Sequence, residues 1–174
     1  MRRPISFRSN FPVRRAVFAP YSLTSDSQAC AFTFVSEGGQ GRIPKQIEFR
    51  ATREAPQVYN VMLYDSPARR PEDWPPMERS RNGDPQRVIA TVIAAIDVFL
   101  QRHPERWVMF YSGRPDEPDP ARMRLYRMGM AANLDFIRQR AVLYGILPDQ
   151  VTYEPYEPAR TYVALLLKSA AAPA

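Results

Sequence analysis

Apolar and polar residues alternate along the first third of the chain. In residues 43–50 (IPKQIEFR) Ile43, Lys45, Ile47 and Phe49 fall on one face of an extended segment, and Pro44, Gln46 and Glu48 fall on the other. Short runs rich in Val, Phe, Tyr and Ile recur at 15–23, 29–35 and 57–64, each bounded by turn residues, so four consecutive strands are predicted. The link Ser36–Gly41 supplies glycines for a hairpin, which makes these strands an antiparallel meander. Pro44 cannot donate to a ladder and points to an edge position or a bulge.

The pattern changes after residue 64. Residues 65–83 carry four prolines and many charges and read as a long surface loop, of the kind that often carries function. Asp84-Pro85 then has the form of an N-cap followed by proline at the first helical position, opening a helix to about Arg102. Val88, Val92, Ile96 and Phe99 recur at three and four residues, giving that helix a broad apolar face for the sheet. His103-Pro104 ends it. Residues 106–112 (RWVMFYS) form a fifth strand whose continuous apolar middle suits a central position.

Asp119-Pro120 repeats the cap-and-proline device and starts a second helix, predicted to run to about Tyr144 and to stop at Gly145. At 100° per residue Met123, Met130, Leu134, Ile137 and Ala141 share a stripe, Arg124, Arg127 and Arg138 share its neighbour, and Arg122 lies on the far side. Residues 150–154 and 161–168 supply two further strands. The expectation is a single α+β domain over 1–174 in the order ββββ-α-β-α-ββ. It has a mostly antiparallel sheet of about six to seven strands with two helices on one face, and loosely ordered tails at 1–14 and 169–174.

Composition narrows the class. With 45% hydrophobic and 24% charged residues in 174, the profile is that of a soluble globular domain, and no apolar run approaches the roughly 18 residues of a membrane span. Met1-Arg-Arg-Pro lacks the apolar stretch of a signal peptide, and the single cysteine, Cys30, excludes an intramolecular disulfide, so a cytoplasmic location is expected. The formal charge of +6 points to an anionic partner, nucleic acid or an acidic protein. Only Lys45 and Lys168 are lysines, however, and a chain rich in Arg, Ala and Pro is also what GC-rich codons write.

Few groups are arranged for chemistry. The glycines at 36–41 are followed by a strand rather than a helix N-terminus, which suits a hairpin and not a phosphate cradle. The sole histidine, His103, sits where it would cap a helix C-terminus, and the apolar neighbours of Cys30 offer nothing to activate its thiol. Asp116, Glu117 and Asp119 suit the positive end of a helix dipole. No metal site and no cofactor is expected, and no catalytic residue is assigned.

The arginines remain. Arg114, Arg122, Arg124, Arg127 and Arg138, with Tyr126 among them, surround the strand-to-helix corner GRPDEPDPARMRLYRM and form the candidate site for an anion or nucleic acid. The plainer alternative is a solvated helix face paired with Asp135 or with loop acids. The run F32-x-F34-x-S36-x-G38-x-x-G41-x-I43-x-K45, then N82-G83-D84-x-x-x-V88-x-A90-T91-V92, then G113-R114 and R122-x-R124-L-Y126-R-M128, resembles a family of short uncharacterised bacterial proteins classed as a domain of unknown function. The resemblance spans about 17 to 145 and implies no activity. The resemblance implies a Gly-Ser or Gly-Arg pair leading almost directly into an Arg-Thr-Arg-Leu-Tyr helix, whereas here Pro115 to Pro120 widen the gap. The sequence thus favours a bacterial, cytosolic, non-catalytic interaction domain of undetermined oligomeric state. Its alternative is a small enzyme acting on a phosphorylated or nucleotide substrate, with Asp84 or Asp116 as base.

Overall fold

The computed structural model describes residues 3–5, 18–65, 82–111 and 119–171. Among them the chain forms β1 (Arg3–Ile5), β2 (Leu23–Ser25), β3 (Ala31–Gly38), β4 (Gly41–Ala51), β5 (Val58–Asp65), α1 (Pro85–Arg102), β6 (Trp107–Tyr111), α2 (Pro120–Ala132), α3 (Leu134–Arg138), β7 (Ala141–Ile146), β8 (Tyr153–Pro155) and β9 (Ala164–Ser169). The strands make one sheet in the order β1-β2-β3-β4-β5-β6-β9-β7-β8. Every neighbouring pair is antiparallel except β5 and β6. The α+β class and the mostly antiparallel sheet agree with the sequence, while the described residues hold nine strands and three helices rather than six to seven and two.

The alternation in β3 and β4 sets the layers. Phe32, Phe34, Ile47 and Phe49 point to one side and are buried there with Ile93, Ile96 and Phe99 of α1. Phe99 stacks on Phe49 with ring centroids 4.2 Å apart. β6 sits between β5 and β9, as its apolar middle requires, with Val108 and Phe110 turned toward the same core. Met123, Met130 and Ile137 bring α2 and α3 onto that side as well, so the helices share one face.

Three expectations are corrected. The segment 15–23 does not enter the sheet as a strand where it is described. Residues 18–22 run outside the sheet and β2 begins at Leu23, because Tyr21 turns under α1, where its N–H donates to Thr91 Oγ1 at 2.9 Å. The second helix stops at Ala132, not near Tyr144. Asn133 leaves the helical region with φ −114°, its side-chain N–H donating back to the Gly129 carbonyl at 2.8 Å, and Ala141–Ile146 is a strand. There the period of two wins over the period of 3.6, since Ala141 and Leu143 are buried and Val142 is exposed. Gly145 is accordingly not a helix stop. A Cβ on it would lie 2.2 Å from the ring of Tyr162, so the position is glycine because a buried tyrosine lies against its backbone. Finally, within the expected tails Arg3–Ile5 pairs with β2 and Ser169 pairs with Ala141, while residues 1–2, 6–14 and 172–174 lie outside the described residues.

His103 is the C-cap residue of α1, and its Nε2 lies 2.8 Å from the Gln28 carbonyl, so that nitrogen carries the proton and donates. No helix is long and apolar enough to cross a membrane among the described residues.

The turn after α3 is tied to α1 by Arg140 and Asp97, 3.3 Å apart, with the guanidinium also 4.1 Å from the ring centre of Phe136 in α3. Burial pushes the Asp97 carboxyl above its ordinary range, against the hydrogen bond from Gln101 and the charge of Arg140. The native state therefore binds a proton here more readily than the unfolded chain does. Its stability should fall as pH rises from the ordinary carboxylate range through the raised folded value. Asp97→Asn is expected to flatten that part of the pH profile of urea unfolding, and an unchanged profile would refute the assignment.

Candidate functional site

Because β5 and β6 run parallel, their carboxyl ends lie at one edge of the sheet, and the chain leaves that edge twice. Residues 66–81 connect β5 to α1, and residues 112–118 connect β6 to α2. In open sheets with parallel strands this is the edge at which ligands collect. The registers Gly38↔Gly41 and Lys45↔Asp65 place the β3–β4 hairpin there too.

At this edge a polar clasp holds the amino end of α1. Ser36, fully buried, donates to Asp84 Oδ2 at 2.6 Å and accepts from Asn82 Nδ2 at 2.8 Å. The Tyr21 hydroxyl lies 2.7 Å from the same Asp84 oxygen and 3.0 Å from the Glu37 carbonyl, and it accepts the Glu37 N–H at 2.9 Å. Burial pushes that hydroxyl above its usual range, which keeps it a donor. Asn82 completes the ring, its Oδ1 accepting from Gln40 N–H at 2.8 Å and its backbone carbonyl from Gly39 N–H at 2.9 Å. The guanidinium of Arg87 covers the Tyr21 ring at 3.8 Å.

Asp84 therefore occupies the N-cap position without capping α1 through its side chain. Its carboxylate is turned back onto the hairpin. That use is structural, and it removes Asp84 from the role of a solvent-facing base. Asp116 and Glu117 lie outside the described residues.

Next to the clasp, Lys45 is 4% exposed, and its ammonium lies 2.5 Å from Asp65 Oδ1 at the end of β5. A lysine in an otherwise apolar stripe is a signal the sequence displays openly, in Ile43, Lys45, Ile47 and Phe49. Ser36, Lys45, Asn82 and Asp84 all belong to the run that carries the family resemblance. They meet at one place in the fold, although turn and cap chemistry alone would have scattered them among separate roles.

The arginines divide. Arg127 donates to the Pro158 carbonyl in the turn before β9, and Arg124 is exposed one turn earlier on α2. Arg138 is exposed but belongs to α3, beyond the break at Asn133, so it does not continue the α2 stripe. Among the described residues neither Arg124 nor Arg138 has an ion-pair partner, and Asp135 pairs with neither. Tyr126 packs its ring 5.8 Å from Phe110 and is partly buried, which makes it first a packing residue. Arg114, the Arg122 side chain and the whole 66–81 segment lie outside the described residues. No group of three or more metal-ligating side chains occurs among the described residues.

Comparison with curated proteins finds no match, and comparison with solved structures finds none. A family model does match, over residues 18–170, and so takes in β2 to β9, the clasp and the α2 arginines. The chain belongs to the family of unknown function DUF6934.

Proposed function

We propose that this chain is a non-catalytic binding domain that contacts an anionic partner, nucleic acid in the first instance, through the arginines of α2 and of the connection leading into it. The observation that carries the reading is the way Arg127 is held. A backbone carbonyl fixes its guanidinium, whereas a carboxylate would have neutralised it, so the side chain is ordered and still charged. Arg124 stands beside it, exposed and without an acid among the described residues. Two such cations one helical turn apart suit successive phosphate oxygens. Arg114 and Arg122 belong to the same proposed surface by sequence, and Arg138 would extend it only from α3.

The enzymatic alternative, a small enzyme on a phosphorylated or nucleotide substrate, has weaker support. Of its two candidate bases, Asp84 is engaged with Ser36 and Tyr21.

The test is binding of single- and double-stranded DNA and RNA as a function of salt. Affinity is expected to fall steeply with ionic strength, and the Arg124→Ala/Arg127→Ala variant should lower the slope of log K against log salt by about 2, roughly one unit for each lost phosphate contact. Binding that is absent, or indifferent to salt and to these substitutions, would overturn the proposal.

A further inference from the structure

An ordinary surface helix turns charged and polar residues to water. The outward side of α2 does not. At 3.6 residues per turn Arg127, Ala131, Arg124, Met128, Ala121 and Ala132 follow one another around it, and all but the half-buried Arg127 are exposed. Met128, 56% exposed, is the one large apolar side chain laid open on a helix among the described residues. The helix carries three arginines and no acidic residue, so its open side suits an anionic occupant, with small residues where a close approach needs them.

We infer that α2 enters the major groove of duplex DNA and that Met128 packs there against thymine methyl groups. This rests on the reading of Arg124 and Arg127 as phosphate contacts and names the partner more closely. A helix about 10–12 Å across with its side chains matches the major groove of B-form DNA, which is about 12 Å wide. The two arginines occupy one flank of the exposed arc, where the phosphates of one strand would pass, and Met128, Ala121 and Ala132 are left to face the base edges. The thymine C5 methyl is the apolar group those edges present. A methionine, with no donor and only a weak acceptor, suits a methyl better than it suits a polar edge.

Other nucleic acids fit this surface less well. Surfaces for single strands present open aromatic rings on which bases stack. Tyr126, the one aromatic residue of α2, instead packs its ring 5.8 Å from Phe110. Double-stranded RNA keeps its base edges in a deep, narrow major groove that side chains cannot read, and its uracils carry no methyl.

Fluorescence anisotropy at one salt concentration tests this with an alternating d(A-T) duplex, the same duplex with uracil in place of thymine, oligo(dT), and an alternating r(A-U) duplex. The d(A-T) duplex is expected to bind at least tenfold more tightly than oligo(dT) or the r(A-U) duplex. Uracil in place of thymine removes only methyl groups and should weaken binding about fourfold, the worth of one buried methyl. Met128→Ser, at an exposed position, should melt within a few degrees of the parent, keep its salt dependence and bind the thymine and uracil duplexes equally. A d(A-T) duplex bound no better than oligo(dT) or the RNA overturns the inference while leaving salt-dependent arginine contacts in place. So does a parent that ignores the uracil substitution, or a discrimination that survives Met128→Ser. Salt-dependent binding to none of the probes removes the reading of the arginines as well.

Discussion

Replacing Gly38 with alanine is expected to destabilise the fold by about 3 kcal/mol, near the top of the range for a substitution adding one methyl group. A Cβ at Gly38 would lie 1.8 Å from the carbonyl oxygen of Asn82. That oxygen cannot move aside cheaply. It accepts from Gly39 N–H, and the Asn82 side chain is fixed by Ser36, Gln40 and Gly41. Relief of the clash must break either the hairpin or the clasp, and breaking the clasp leaves the buried Ser36 hydroxyl short of a partner. For a domain of this size the loss corresponds to a fall in Tm of about 6–12 °C. Gly39 supplies the control, because nothing lies within 4 Å of its would-be Cβ. Gly39→Ala should stay within about 0.5 kcal/mol of the parent. Equal effects at the two positions in thermal or urea unfolding would mean that the clasp does not hold α1 to the hairpin.

The meander, α1 and the central place of β6 were legible because in each a single periodicity prevails. β3 and β4 alternate, α1 repeats at three and four, and β6 is apolar throughout its middle. The longest misread segment lay between 133 and 146. Ile137 and Ala141 are four apart and both buried, so a helical stripe runs straight across the turn at 139–140 into β7. Local pattern could not decide the matter. What fixes that segment is long-range pairing of β7 with β9, and the contact of Tyr162 with Gly145, neither of which has a local signature.

Much the same contrast applies to the candidate site. Which arginines lie near the strand-to-helix corner could be read from the sequence, but how each is held could not. The carbonyl that fixes Arg127 is thirty-one residues away. The break at Asn133 moves Arg138 to another helix, and a helical wheel drawn through 144 hides that break. The clasp escaped notice for a related reason. Ser36 looks like a turn residue and Asp84 like a helix cap, and each would be content in that local role. Their hydrogen bond spans forty-eight residues and makes sense only once β3, the entry to α1 and Tyr21 are brought to one sheet edge.

Asp65→Ala should cost about 2–3 kcal/mol, more than Lys45→Met, although the lysine is the more deeply buried partner. Asp65 Oδ1 stands 2.5 Å from the Lys45 ammonium, which is enclosed on the helix-facing side of the sheet across from Phe34. Removing the carboxylate leaves that ammonium without its counter-charge in an apolar layer, where only water drawn in from the edge could replace it. Removing the lysine instead leaves Asp65, whose side chain is 34% exposed and can hydrate. A methionine fills most of the vacated volume, so Lys45→Met should cost about 1 kcal/mol. The double variant Lys45→Met/Asp65→Ala should then be more stable than Asp65→Ala alone, a non-additivity that urea unfolding of all four proteins measures directly. Strict additivity would contradict the pairing. Because Asp65 is the last residue of β5, the same pair fixes the point from which residues 66–81 depart, so Asp65→Ala should also loosen the edge at which α1 and its clasp begin.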